Sequence, residues 1–140
     1  TSAGFTKNIA FSSMESTHLA ASTAFKMSKC NVKDIDVAEV HDAFSVCEPM
    51  ALESLGLTDK GKGMNMIKEL YTTNNLKINP RGGLIGSGHP LGATGIAQTI
   101  EIAQQLQSRA NKRQVENAKI GLVHNMSAAA TSSTVLVLER

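Results

Sequence analysis

Tryptophan is absent from this sequence, tyrosine occurs once, and aromatic residues amount to only 4%. Apolar residues still reach 41% against 19% charged, a balance that buries a core and excludes disorder for the chain as a whole. Cysteine is almost as scarce. Cys30 and Cys47 make neither a zinc framework nor a dense disulfide scaffold, so a reducing, cytoplasmic setting is the simplest expectation. A net charge of +2 leaves no electrostatic footprint for nucleic acid or a membrane surface. No apolar run approaches the roughly 20 residues of a spanning helix, and no signal-peptide pattern opens the chain. What remains is 140 residues, room for one domain. The first residue is Thr1, as expected of a processed chain, a subunit or a cut piece.

Periodicity divides the chain. Residues 7–11 alternate as a strand, and Ser12 and Glu15 have the spacing of a capping box. Ala20, Ala24 and Met27 then recur at helical spacing, with an end expected near Cys30. Residues 37–41 alternate as a strand in which Val37 and Ala38 face different layers. Pro49 would cost ~3 kcal/mol deep inside a helix, so the second helix is predicted to start at Ser45, boxed by Glu48. Gly56 is its left-handed stop. Residues 58–64 read as a mobile connection and 64–70 as a short helix.

Residues 76–79 are a predicted strand running into a glycine-dense loop, 80–90. A long helix is predicted from Pro90, with Ile96, Ile100, Ala103 and Leu106 as its buried stripe and Arg109, Lys112 and Arg113 at its end. Strands at 120–125 and 134–138 flank a turn of small residues. This order predicts an α/β layered unit with a largely parallel sheet.

The loop before the long helix carries the strongest chemical signal. Gly82, Gly83, Gly86 and Gly88 let the backbone approach a ligand closely, and His89 closes the loop where an open sheet's carboxyl edge meets a helix start. That helix's positive end would hold His89 as a neutral base or donor. On spacing alone, a glycine-rich turn whose histidine caps a helix fits equally well. Neither a Walker loop nor a dinucleotide fingerprint is present.

Asn79-Pro80-Arg81-Gly82-Gly83-Leu84-Ile85-Gly86-Ser87-Gly88-His89-Pro90-Leu91-Gly92-Ala93-Thr94-Gly95 resembles the active-site histidine loop of the thiolase superfamily. His41-Asp42-Ala43-Phe44 is similar to the loop after an earlier strand in its sterol-carrier-protein and archaeal, lipid-transfer-protein-type members. Gly121-Leu122-Val123-His124-Asn125 resembles the start of their last active-site loop. The resemblance runs from about Ile9 to Arg140. It implies that residues 1–140 are a thiolase C-terminal domain, the N-terminal nucleophile half lying outside this chain.

The implied fold is α/β, a thiolase-like half with helices packed on a mostly parallel five-stranded sheet. Two such halves stack on a shared helix layer in the family, and the enzymes dimerise. The implied chemistry is acyl transfer on a coenzyme A thioester, a Claisen condensation or its reverse, with the thioester as substrate and no metal or redox cofactor. The implied partners are acyl-CoA and an N-terminal half or companion subunit, in a homo-oligomer when complete. By the resemblance His89 activates a cysteine from the other half and helps bind the thioester oxygen, while His41 helps build an oxyanion hole. Gly88, Asn125, Met126 and Ser127 are the implied substrate-binding positions.

The departures set further expectations. The family's acid/base cysteine is missing from both usual places, where Met126 and Ala43 stand. Cys47, in the first turn of a predicted helix, substitutes for it or is simply a small core residue. Ser127-Ala128-Ala129-Ala130 replaces the family's glycines and should restrict left-handed backbone angles. His124 alternates with Leu122, so burial and chemistry are equally open to it. Cys30 reads as an inert residue at a helix end and His18 as a surface or partly packed helix residue. The basic group near residue 110 reads as a solvated helix end before a coenzyme A phosphate contact. Two alternatives are a thiolase-like aldolase, which would need a tyrosine and has only Tyr71, and a non-catalytic module binding acyl chains or a partner.

Overall fold

The computed structural model describes residues 13–75 and 77–140. Among them β1 (Val37–Glu39), β2 (Ile120–Met126) and β3 (Ser133–Glu139) form one sheet in the order β1-β2-β3. β1 lies parallel to β2 with Ala38 opposite Leu122, and β3 antiparallel to β2 with Val135 opposite His124. Where five mostly parallel strands were expected, the described residues show three of mixed direction. Residues 127–132 are too short a link for a parallel crossover and permit only a hairpin. Of the strand predicted at 76–79, residue 76 lies outside the described residues and the rest makes one parallel bridge between Ala38 and Ile78. Asn79 then turns away at φ 49° and ends the ladder. The strand predicted at 7–11 and the cap Ser12 lie outside the described residues.

Helices cover both faces. α1 (Glu15–Ser28), α2 (Cys47–Leu55) and α3 (Gly63–Thr72) are followed by the short α4 (Gly83–Ser87) and by α5 (Thr94–Leu106). Ala38, Val40 and Leu122 pack with Ala21, Ala51, Leu52 and Leu55 on one side. Val37 and Val123 pack with Ile102, Leu106 and Ala118 on the other. Val37 and Ala38 thus face different layers, as their alternation predicts.

Two helix starts differ from expectation. α1 opens at Glu15 behind Met14, whose N–H donates to Ser54 Oγ at 3.1 Å, so Glu15 is the first helical residue and cannot close a box from the third. α2 opens at Cys47 rather than Ser45, because Glu48 is taken by the Asn79 side chain (3.1 Å). Pro49 remains in the first turn, where its missing N–H is harmless. Gly56 stops the helix at φ 80°, with Gly56 N–H to Glu53 O (3.1 Å) and Leu57 N–H to Leu52 O (2.9 Å), the Schellman pattern.

α5 departs most. It begins at Thr94, not Pro90, and two members of its predicted buried stripe face outward: Ile96 is 63% exposed and Ile100 51%. Gln98, Glu101 and Gln105 are buried in their place. Each has main-chain or charged partners that an aliphatic residue would leave unpaired. Gln98 donates to His124 O (3.2 Å), and Gln105 donates to Arg113 O (2.8 Å) and accepts from Val115 N–H (2.8 Å). Glu101 receives the Arg113 guanidinium at 2.8 Å. Arg113 is therefore half of an ion pair with a buried carboxylate, while it stays solvent-exposed with Arg109 and Lys112, as expected of this basic group.

Gly63 lets α3 start against α2, since a Cβ there would stand 2.5 Å from Pro49 O and 2.8 Å from Pro49 Cα. Gly63→Ala should cost about 1–3 kcal/mol in urea unfolding. Gly86→Ala, with open space around it, should stay within about 0.5 kcal/mol. Equal losses would contradict this packing.

Candidate active site

Beyond β1 the chain stays buried through Val40, His41 and Asp42, and its polar groups are answered from Asn79 and the glycine-rich loop. Asn79 Oδ1 accepts the Val40 N–H at 2.8 Å. Asp42 Oδ1 accepts the Leu84 N–H at 2.6 Å, and Glu39 Oε1 the Arg81 N–H at 3.3 Å. Gly83, at φ 63°, presses its Cα so close to Asp42 that any side chain would overlap the carboxylate. Two segments distant in sequence are thereby sewn together.

The result is a pair of histidines. The His41 and His89 rings stand edge to face, 89° apart in plane, with centroids 4.8 Å apart. His41 is buried and His89 exposed. His89 Nδ1 lies 2.7 Å from Thr94 Oγ1, whose single proton goes to Pro90 O at 3.1 Å. With the hydroxyl proton on Pro90 O the oxygen accepts from His89 Nδ1–H, and that tautomer is the one that keeps a lone pair on Nε2. Thr94 does the work expected of a helix end at Pro90.

Burial lowers the His41 pKa, His89 lowers it further, and Asp42 opposes both. Its Nδ1 is buried with no hydrogen-bond partner among the described residues. Burial pushes Glu39 up to about 7, offset in part by the Arg81 amide and guanidinium. Burial raises Glu48, with Asp42 adding to the shift and the Asn79 hydrogen bond opposing it. His124, fully buried, is pushed down to about 3 by burial and then by His41.

Both histidines line a cleft of about 860 Å³ with apolar walls from Met14, Phe44, Met50 and Leu91. Of the residues singled out in the sequence, Cys47, Asn125, Met126 and Ser127 also line it. Cys47 is buried at the start of α2. Asn125 is fixed by Gln98 (2.8 Å). Ser127 Oγ braces its own turn, accepting the Ser132 N–H at 3.0 Å. Gly88 does not line the cleft and instead turns the chain at φ 87° just before His89.

Ala129 and Ala130 also line it, and both are left-handed, at φ 56° and 51°. Loss of the glycines therefore did not restrict those angles. The strain, roughly 1 kcal/mol or more per residue, is held by Ser16 Oγ donating to Ala130 O at 2.6 Å. Tyr71 is exposed on α3 and does not line the cleft.

Sequence reasoning gave no role to Asp42, Asn79 or Thr94, although all three lie in the motifs. Ser16 and Thr17 were missed altogether. Their signal was the spacing to Ala20 and Ala21, which puts four small residues on one helix face. Among the described residues no group of three or more His, Cys, Asp or Glu is arranged to hold a metal ion, and no helix is long and apolar enough to cross a membrane.

An exposed histidine beside a buried one, set at the carboxyl end of a parallel strand pair and opening on an apolar cleft, makes an α/β half-site of a kind that can support acyl chemistry. The thiolase C-terminal domain-like family matches residues 4–140, and the chain belongs to it. It is 44% identical over 129 residues to acetyl-CoA acetyltransferase of Methanothermobacter thermautotrophicus, covering 91% of this chain and 34% of that protein. It is 47% identical over 109 residues to sterol carrier protein 2 of Homo sapiens, covering 76% of this chain and 20% of that protein. The chain thus spans about a third or less of these relatives. The solved Ltp2-ChsH2(DUF35) aldolase shares the fold, with a TM-score of 0.75 at 22% identity over 88% of this chain and 31% of that one.

Glu39 and His124 respond to pH in opposite senses. The folded value of His124 lies below its ordinary 6.5, so its contribution is full above 6.5 and is lost as pH falls towards about 3. The folded value of Glu39 is raised from 4.5 to about 7, so its contribution is full below 4.5 and is lost as pH rises through 7. Glu39→Gln should therefore gain on the parent by about 1–3 kcal/mol between about pH 5 and about pH 8. Urea unfolding at both values checks this, and a gap independent of pH contradicts it.

Proposed function

We propose that the complete protein containing this chain is a thiolase-type acyltransferase that forms or thiolytically cleaves a 3-ketoacyl-CoA. The observation carrying this reading is the His41–His89 pair in the wall of an apolar cleft, with Thr94 Oγ1 holding His89 by its Nδ1. His89 takes the proton from a thiol nucleophile that the N-terminal half or a companion subunit supplies. His41, kept neutral by burial, donates towards the thioester oxygen as negative charge develops. Cys47 is the thiol left in the cleft to move the second proton. Asn125, Met126 and Ser127 form the substrate wall, and Gly88 sets the angle at which His89 enters it. The coenzyme arrives as the substrate's own thioester, and no metal or redox group is used.

The missing half has a place to dock. Ile96 and Ile100 of α5, with Leu91 and Leu136, line an uncovered apolar groove, while the chain covers only 34% of its acetyltransferase relative. We assign that groove to the N-terminal half of the same protein or a companion subunit, in a homo-oligomeric, cytoplasmic enzyme. The aldolase alternative loses support because Tyr71 stands outside the cleft. The non-catalytic alternative loses support because the alanine turn keeps its left-handed angles.

The 140-residue chain alone should show no thiolysis of acetoacetyl-CoA above background, whereas the complete protein should turn over. In the complete protein His89→Ala should lower kcat by at least about 10²-fold with Tm nearly unchanged. His41→Ala should cost a similar factor, and the double variant less than the product, because both act on one oxyanion. Full turnover in His89→Ala would refute the assignment, and a collapsed Tm would make the histidine structural.

A further inference from the structure

Gln98 is fully buried on α5, one turn past Thr94, and its carboxamide meets two groups of β2. Its Nε2 donates to the His124 carbonyl at 3.2 Å, and its Oε1 accepts from Asn125 Nδ2 at 2.8 Å. These two bonds fix each other. A main-chain carbonyl only accepts, so the Gln98 nitrogen must face His124 and the Gln98 oxygen is left facing Asn125. That oxygen also only accepts, so Asn125 must turn its nitrogen towards it. One backbone group thus sets which way round two carboxamides lie.

The packing agrees. A Cβ built on Gly95 would stand 3.5 Å from Asn125 Nδ2, so the nitrogen branch rests on the first turn of α5. The Oδ1 branch points away from that turn. It has no hydrogen-bond partner among the described residues and is not enclosed. Asn125 borders both the cleft that holds His41 and His89 and the apolar groove along α5. An unanswered carbonyl oxygen therefore opens where the two meet.

A coenzyme A thioester offers such an oxygen few partners. The thioester carbonyl, the sulfur and the 3-keto oxygen of a 3-ketoacyl-CoA only accept, and the acyl chain is apolar. The first donor along the molecule is the amide N–H two carbons beyond the sulfur, at the near end of the pantetheine arm. We propose that Asn125 Oδ1 accepts this amide N–H, and that Gln98 is the positioning residue that keeps the oxygen of Asn125 turned to the substrate. The ligand assignment rests on the acyl-transfer reading, but the orientation of Asn125 does not. A reversed carboxamide would set Nδ2 against the substrate N–H, donor against donor, and would leave Gln98 Oε1 unpaired.

The experiment compares two acetoacetyl thioesters on the complete protein: that of N-acetylcysteamine, and that of 2-mercaptoethyl acetate, in which an ester oxygen replaces the amide N–H. The parent should prefer the amide by about tenfold or more in kcat/KM, because the ester sets oxygen against Asn125 Oδ1. Asn125→Ala and Gln98→Met should bring the ratio to within about twofold of one, through a raised KM for the amide. A variant that is only less stable lowers both substrates together and leaves the ratio in place. In the parent without substrate, NOEs from the Asn125 carboxamide protons to the Gly95 Hα should report the orientation. A parent that cleaves both thioesters equally overturns the proposal and leaves the acyl-transfer reading intact. So does Gln98→Met with the parent's ratio, or a parent without the Gly95 NOEs. If Gln98→Met does not fold, the parent NOEs and the Asn125→Ala ratio decide it by the same criteria. If neither short thioester is cleaved, NMR titration with the S-butyl thioethers of the two arms decides. Tighter binding of the amide, lost in Asn125→Ala, supports the proposal, and equal binding overturns it. Acetoacetyl-CoA left uncleaved as well would bring down the acyl-transfer reading alone.

Discussion

The Val40 N–H emerges from the end of a three-residue strand with no further ladder to join, and the side chain of Asn79 receives it. That bond and its neighbours hold the rest of the site. Asp42 receives the Leu84 amide and Glu39 the Arg81 amide, so two side chains from the strand end and one from the facing loop join segments some forty residues apart in sequence. A glycine-rich loop has more conformational freedom to lose than any other, and only specific bonds to main-chain donors make one geometry win. The prize of that fixation is the edge-to-face contact of His41 and His89. Strain is carried nearby at Ala129 and Ala130, where the surrounding bonds over-determine the backbone, while Gly83 meets Asp42 without a side chain to clash.

The same logic explains the inverted face of α5. Its inward side meets main-chain groups of β2 and of the segment before it, so Gln98, Glu101 and Gln105 belong there, and Ile96 and Ile100 are left outside. An apolar stripe facing away from its own core has little use in an isolated unit. It fits a chain that covers a third or less of its relatives and, in the reading proposed above, the seat of the missing half.

Local signals in the sequence were readable because the physics behind them is local. Gly56 ends α2 since it alone takes φ 80° cheaply, Pro49 stays within a first turn, and Val37 and Ala38 divide between two layers. The histidine loops were readable because their residues occur in a fixed order. Partners across space were not. Nothing in the spacing of Ser45 and Glu48 shows that Asn79 will claim Glu48, or that Glu101 will bury itself with Arg113. The α5 stripe was misread because periodicity reports which residues share a face, not which face turns inward. Sheet direction failed for a related reason: β3 follows β2 too closely to be parallel, and Asn79 cuts short a strand whose pattern looked complete. The grip of Gln98 on Asn125 was hidden because the two stand on different elements until the fold brings them together.

The central claim is that side chains at the end of β1 pre-position the histidine loop before any substrate arrives. Native-state hydrogen exchange of the Leu84 and Val40 amides in the complete protein, without ligand, tests it most directly. Both amides should be protected to the level of Leu122 in the middle of β2, and Asp42→Ala should release Leu84 while leaving Leu122 protected. Exchange of Leu84 at the rate of an open loop in the parent protein would contradict the account.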